Sequence, residues 1–151
     1  MRTRTIKTGI AAFLILSAAG IFWMNRENYY LNRTVREITL RLIQVSIRSR
    51  TTEVEYRVHF HENGYLIEVK DTDSENWEME SGYDLRTGIR SHPGGLRCYF
   101  VRGRFVGYDI NGKRGPRYVL LHFKHNDNPL KRSLIFFRRG EWRPVGYTDG
   151  E

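Results

Sequence analysis

The sequence predicts an α+β fold in which one long N-terminal membrane-spanning helix packs on an antiparallel β-sheet domain of about six to seven strands. Three observations predict it. Thr8 to Asn25 contains no charged residue, and about eighteen such positions is the low end of what crosses a bilayer as a helix. Directly after it, Leu31, Val35, Ile38, Leu42 and Val45 recur at steps of 4, 3, 4 and 3, which is one face of a helix. Beyond about residue 53 the period changes to two, and the Asn-Gly pairs at 63–64 and 111–112 mark hairpin turns.

The helix comes first. The earliest proline is Pro93, so nothing stops one rod from running from about Lys7 to about Arg50, roughly 65 Å at about 1.5 Å per residue. Arg2, Arg4 and Lys7 precede the apolar run and Arg26 follows it. The positive-inside bias therefore keeps the N-terminus in the cytoplasm and puts residues from about 26 onward outside. A cleaved signal peptide is the rival reading, with a core at Ile10 to Leu16 and Ser17-Ala18-Ala19 as the small-residue site. Against it, the apolar run continues through Ile21, Phe22, Trp23 and Met24. The division expected is a basic leader (1–8), a transmembrane helix (9–25), its amphipathic continuation (26–52), a β domain (53–146) and a frayed tail (147–151).

In the β domain, Glu53 to His61 alternates, with Tyr56, Val58 and Phe60 on one face and Arg57, His59 and His61 on the other. Asn63-Gly64 turns the chain, both residues being expected at positive φ, and Tyr65 to Lys70 returns. Thr72 to Thr87 is polar and acidic and reads as a long loop with at most short strands. Strands follow at Leu96 to Val101 and Phe105 to Ile110 around Arg102-Gly103. Asn111-Gly112 then leads toward an apolar strand at Tyr118 to Lys124. His125 to Leu130 is a turn cluster. Ser133 to Phe137, the turn Arg138-Arg139-Gly140 and Glu141 to Val145 close the domain, the last as an edge strand because Pro144 cannot donate to a central ladder.

The chain has 151 residues and a net charge of +8, enough beyond the helix for one domain with one core. Charge is segregated along it. Residues 1–52 carry nine Lys/Arg and two Glu, residues 53–84 two basic and ten acidic residues, and residues 85–151 fourteen basic and five acidic. Such polarity suits head-to-tail association or a basic face free for a polyanion. The single cysteine, Cys98, excludes an intrachain disulfide and, between Leu96 and Tyr99-Phe100-Val101, reads as a buried small apolar residue.

Two stretches, Thr34 to Arg50 (TVREITLRLIQVSIRSR) and Val54 to Val69 (VEYRVHFHENGYLIEV), and the closing Leu134 to Val145 (LIFFRRGEWRPV) carry a resemblance. The chain resembles type IV pilins and pseudopilins, closest to the GspH/FimT group of minor pilins and minor pseudopilins. The likeness covers most of residues 30–145 and lies in pattern more than in invariant residues. It implies a structural subunit of a type II secretion or type IV pilus machine, held in the bacterial inner membrane with its domain in the periplasm and partnered by other pilin-like subunits. It also implies Gly9 and Ile10 as the prepilin processing site. The usual cleavage motif is absent, and Leu14 stands where the family has a glutamate. That departure implies a tip or initiating subunit, or a simple membrane anchor, more than a shaft subunit. The helix packing face would be Leu31, Val35, Ile38, Leu42 and Val45.

Chemistry beyond assembly has few candidates. Arg102, Arg104, Lys131, Arg132, Arg138, Arg139 and Arg143 fall mostly in turns and are interleaved with aromatic residues, a combination that holds a phosphate backbone without reading its sequence. In the resembled family, basic C-terminal turns of some minor pilins serve DNA uptake, so DNA is a candidate partner. No small-molecule substrate is implied. His59 and His61, with His122 and His125, offer imidazoles but not the convergence a metal needs, and solvent-facing strand positions explain them. Asp71, Asp73 and Glu75 alternate like calcium-loop ligands. However, Asn76 stands where the loop wants glycine and Gly82 where it wants a bidentate glutamate, so neither calcium nor another cofactor is expected. No nucleophile, phosphate-loop or zinc-protease signature occurs, and Asp84, Ser91 and His92 form none. Nothing in the sequence argues for an enzyme.

Overall fold

The structure, a computed structural model of the chain, describes residues 2–52, 54–115, 118–126 and 128–149, and leaves undescribed the side chains of residues 2–8, 24, 25, 128–132, 134 and 145–149. One helix, α1 (Arg2–Thr51), is followed by ten strands. They are β1 (Glu55–His61), β2 (Gly64–Lys70), β3 (Glu78–Asp84), β4 (Ile89–His92), β5 (Leu96–Val101), β6 (Arg104–Ile110), β7 (Lys113–Arg114), β8 (Tyr118–His125), β9 (Asn128–Arg138) and β10 (Glu141–Asp149). All pairings are antiparallel. They make a six-stranded sheet, β3-β2-β1-β5-β6-β7, and a four-stranded sheet, β10-β9-β8-β4. The expected α+β architecture is therefore present, with one long helix and antiparallel sheets.

The helix ends where threonines take over its last carbonyls. Thr52 donates through its backbone N–H (2.9 Å) and its hydroxyl (2.6 Å) to the Arg48 carbonyl, and the Thr51 hydroxyl donates to that of Ile47 (3.1 Å). Arg48 and Arg50 in the last turn complement the negative end of the helix dipole.

The core lies between the helix and the inner faces of both sheets. Leu31, Val35, Ile38, Leu42 and Val45 are all buried, as are Tyr56, Val58 and Phe60 from β1 and Leu121 and Phe123 from β8. Burying such a side chain stabilises by about 1.5–3 kcal/mol. Phe137 of β9 sits 5.3 Å from Phe105 and 6.4 Å from Phe60 between ring centroids, joining the two sheets. Cys98 is fully buried, and that burial pushes its thiol pKa well up.

Several local expectations change. Three strands beyond the seven expected are present: β3, β4 and the two-residue β7. β3 lies within the stretch read as a long loop with at most short strands, and at seven residues it is longer than that reading allowed. Its residues are mostly exposed, so it carries no alternating pattern and is held by backbone pairing with β2. The tail is a strand as far as Asp149, paired with β9 across a bulge at Pro144/Gly146. Pro144 does sit on an edge strand.

The first hairpin turns on Glu62 and Asn63, with His61 opposite Gly64, and neither Asn63 nor Gly64 has a positive φ. Gly64 is required for space instead, since a Cβ there would stand 2.6 Å from the Tyr83 carbonyl oxygen of β3. The Asn-Gly rule holds at the other site, where Asn111 and Gly112 have φ of 52° and 82°.

Candidate interaction surfaces

The two halves of α1 meet different surroundings. From Ile10 to Trp23 the large apolar side chains stand exposed, Phe13 and Leu16 at 71%. None of the most apolar window is covered by the protein, and the helix is long and apolar enough to cross a membrane. The predicted processing pair, Gly9 and Ile10, lies within continuous helix, and Ile10 is exposed.

The face formed by Leu31, Val35, Ile38, Leu42 and Val45 is used up within the chain. Both sheets cover it, so it is the face by which α1 packs on its own β domain and it is not open at the surface. A second apolar ridge takes its place at the surface. Leu40, Ile43 and Ile47 are 53%, 42% and 57% exposed. Each lies five residues beyond a member of the buried stripe, about 140° round the helix. Beside this ridge, Ile43, Ile47, Arg50 and Trp142 line a groove of about 380 Å³, closed on one side by the Trp142 indole N–H donating to the Ser46 hydroxyl at 3.4 Å. The sequence contained this ridge, but the stronger 4-3-4-3 stripe masked it.

The end of the domain beside Thr51 gathers arginines from both sheets. The β5–β6 turn is pinned to the helix by the Gly103 N–H donating to the Ser49 hydroxyl at 2.9 Å. The β9–β10 turn is pinned to β6 by the Gly140 N–H donating to the Phe105 carbonyl at 2.8 Å. Arg50, Arg102, Arg104, Arg138 and Arg139 are consequently exposed around one end. Arg143 lies two residues along β10 from that turn, its guanidinium 5.8 Å over the Phe136 ring. Lys131 and Arg132 fall elsewhere, in the half of β9 toward the opposite end. Their side chains, and Arg117 altogether, lie outside the described residues.

The acidic β2–β3 connection, with Asp71, Asp73 and Glu75, leaves the same end on the other side of the helix, where Arg48 and Glu80 pair at 2.9 Å. The charge segregation of the sequence thus becomes an acidic and a basic flank about the helix end.

The outer face of the larger sheet carries a polar network. Arg57 grips Glu68 with two bonds of 2.7 and 2.8 Å and lies 4.5 Å over Trp77. Trp77 meets Tyr99 edge-on, and the Tyr99 hydroxyl donates to Asp109. The Arg57 hydrogen bonds hold the Glu68 carboxyl below its usual range. His59 is pushed down to about 4 by burial, with the neighbouring His61 and Arg97 charges adding to it. His59 and His61 rings are 4.0 Å apart, whereas His122 and His125 belong to β8 in the other sheet. Among the described residues no three His, Cys, Asp or Glu side chains converge as metal ligands would.

No family model, curated protein or solved structure matches the chain.

Proposed function

We propose that this chain is a non-enzymatic structural subunit, a minor pilin or pseudopilin-like component of a type II secretion or type IV pilus machine. In this reading it is held in the inner membrane with its N-terminus cytoplasmic and its domain periplasmic. The observation that carries the reading is the single helix α1, bare and apolar through its first half and built into two sheets through its second. The exposed Leu40, Ile43 and Ile47 ridge supplies the lateral contact for neighbouring subunits that the buried stripe does not. Intact mass and N-terminal sequencing of the membrane-extracted protein test it. A mature start at Ile10 supports a pilin machine. A start at Met1, together with no crosslinks from residue 43 or 47 to pilin-like proteins, removes the machine and leaves an anchored domain.

A second reading, DNA capture, is favoured by the gathering of Arg102, Arg104, Arg138 and Arg139 at one end. Charge reversal at Arg138, Arg139 and Arg143 then abolishes binding to a DNA oligonucleotide while leaving assembly intact. An affinity that does not weaken with rising salt sinks this reading.

A further inference from the structure

The opposite end of the domain, beside the membrane exit of α1, carries its own basic site, and helix geometry fixes where that site lies. Arg86 stacks 3.5 Å over the Tyr30 ring, and the Ser133 hydroxyl donates to Asn32 at 3.3 Å. Tyr30 and Asn32 are only four and six residues past Arg26, about 6–9 Å along the axis. Strand β9 runs from the far turn at Arg139, past Ser133, and on toward this end, so the β8–β9 turn lies nearer still. The headgroup layer on each side of the hydrocarbon is roughly 5–7 Å deep. With the span at residues 9–25, this end of the domain rests at the headgroup surface.

At this end Glu62, Arg90, His92, Lys124, His125 and Asn126 line an open pocket of about 390 Å³. Register makes the site unusual. Arg90 stands directly opposite Lys124 across β4 and β8. Like charges directly opposite on a sheet are destabilising. Among the described residues Arg90 has one carboxylate partner, Glu62 at 2.6 Å, and both are more than half exposed, so that pair is weak. Lys124 has no carboxylate partner among the described residues. Lys113 and Arg114 extend the positive surface at the neighbouring turn of the larger sheet, both exposed. The acidic residues of this end among the described residues are Glu62, the exposed Asp84, Glu27 beside the membrane exit, and Asp109. Asp109 stands opposite Arg114 and accepts from the Gly112 N–H, so that Lys113 is the freer of the two cations on β7. Asp127 lies outside the described residues. A facing cationic pair that costs stability in the folded chain gains by meeting an anion, and the anion that the helix brings to it is a lipid phosphate.

We infer that the Arg90–Lys124 pocket is a docking site for the phosphate headgroups of anionic phospholipids, seating the β domain on the membrane from which α1 emerges. This rests on the anchored reading above, since a chain without the span would not hold the pocket at the bilayer. Basic side chains near an anionic surface act at short range and are screened by salt.

The test uses the full chain in nanodiscs of phosphatidylcholine alone and of phosphatidylcholine with phosphatidylglycerol. A fluorophore is placed at Asn126→Cys, and the lipid headgroups carry a quencher; the native Cys98 is fully buried. Quenching is expected only with phosphatidylglycerol, declining as salt rises. Each of Arg90→Gln and Lys124→Gln should lower the apparent lipid affinity by about fivefold, with the thermal melt of the domain not lowered and, for Lys124→Gln, slightly raised because one of two facing like charges is gone. Soluble glycerol phosphate should not relieve the quenching.

Equal quenching in both bilayers, or full phosphatidylglycerol dependence in the Lys124→Gln variant, overturns the inference. Relief by glycerol phosphate at concentrations matching the lipid would reassign the pocket to a free phosphate. Relief by a DNA oligonucleotide would reassign it to nucleic acid. Flotation of the nanodisc components separates the layers of the argument. A chain that integrates but shows no lipid preference refutes only the pocket, and one that fails to integrate refutes the anchor along with it.

Discussion

The first and second halves of α1 share one backbone conformation and differ in everything that gives it a partner. From Gly9 to Trp23 the helix is without charge all round and nothing in the protein covers its most apolar window. After Arg26 a single stripe is buried and charged residues occupy much of the rest. Helix formation is therefore common to both halves, while the solvent each is built for is set by how its apolar residues are distributed. An all-round apolar surface calls for lipid, and a stripe calls for a sheet.

Truncating the buried stripe is the sharpest way to separate the halves. Leu42→Ala should cost about 2–5 kcal/mol in a denaturant titration of the domain, because a fully buried leucine leaves a cavity. Leu16→Ala in the same assay should change nothing measurable. The converse variant is Leu14→Arg, which should oppose membrane insertion by about 2.5–3.5 kcal/mol. Alkaline extraction reads that loss, and the melting of the domain should stay as in the parent. If Leu14→Arg also unfolds the domain, the halves are not independent.

A smaller effect belongs to pH. His59 has its folded pKa lowered from 6.5 to about 4, so between those values the unfolded chain binds the proton more readily. Stability is then full above pH 6.5 and falls as the pH drops toward about 4. Thermal melts across that window should show the decline, and His59→Gln should flatten it. The smallest effect concerns the exposed ridge. Ile47→Ser should leave stability within about 0.5 kcal/mol, and if the proposed lateral contact exists, its consequence, weaker crosslinking to pilin-like proteins, should appear only in the membrane.

Most of the backbone plan was readable because it rests on local signals. The two halves of the helix follow from charge absence and from the stripe. The turns at Arg102-Gly103 and Asn111-Gly112 follow from residues able to hold positive φ, found at 50° and 80° for the first pair. β3 was not readable, since an exposed edge strand such as Glu78–Asp84 needs no apolar alternation to pair with β2. Gly64 was identified as a turn residue for the wrong reason, because the Tyr83 carbonyl that demands it lies nineteen positions on. The arginines of the far end could be named one by one. Their convergence depends on Gly103 meeting Ser49 and Gly140 meeting Phe105, contacts between segments far apart in the chain. The Arg90–Lys124 register was equally hidden, because it required the pairing of a four-residue strand that carries no signal of its own.

Because α1 is one unbroken helix fastened to the sheets at both ends of its second half, by Asn32 at one and Ser49 at the other, it behaves mechanically as a lever. From Arg26 to Arg50 it extends about 36 Å. A tilt of about 20°, ordinary for a spanning helix, carries the arginine-rich end sideways by roughly 12 Å. In a chain anchored as proposed, a change in bilayer thickness is thereby converted into displacement at a distant surface, without any hinge in the protein.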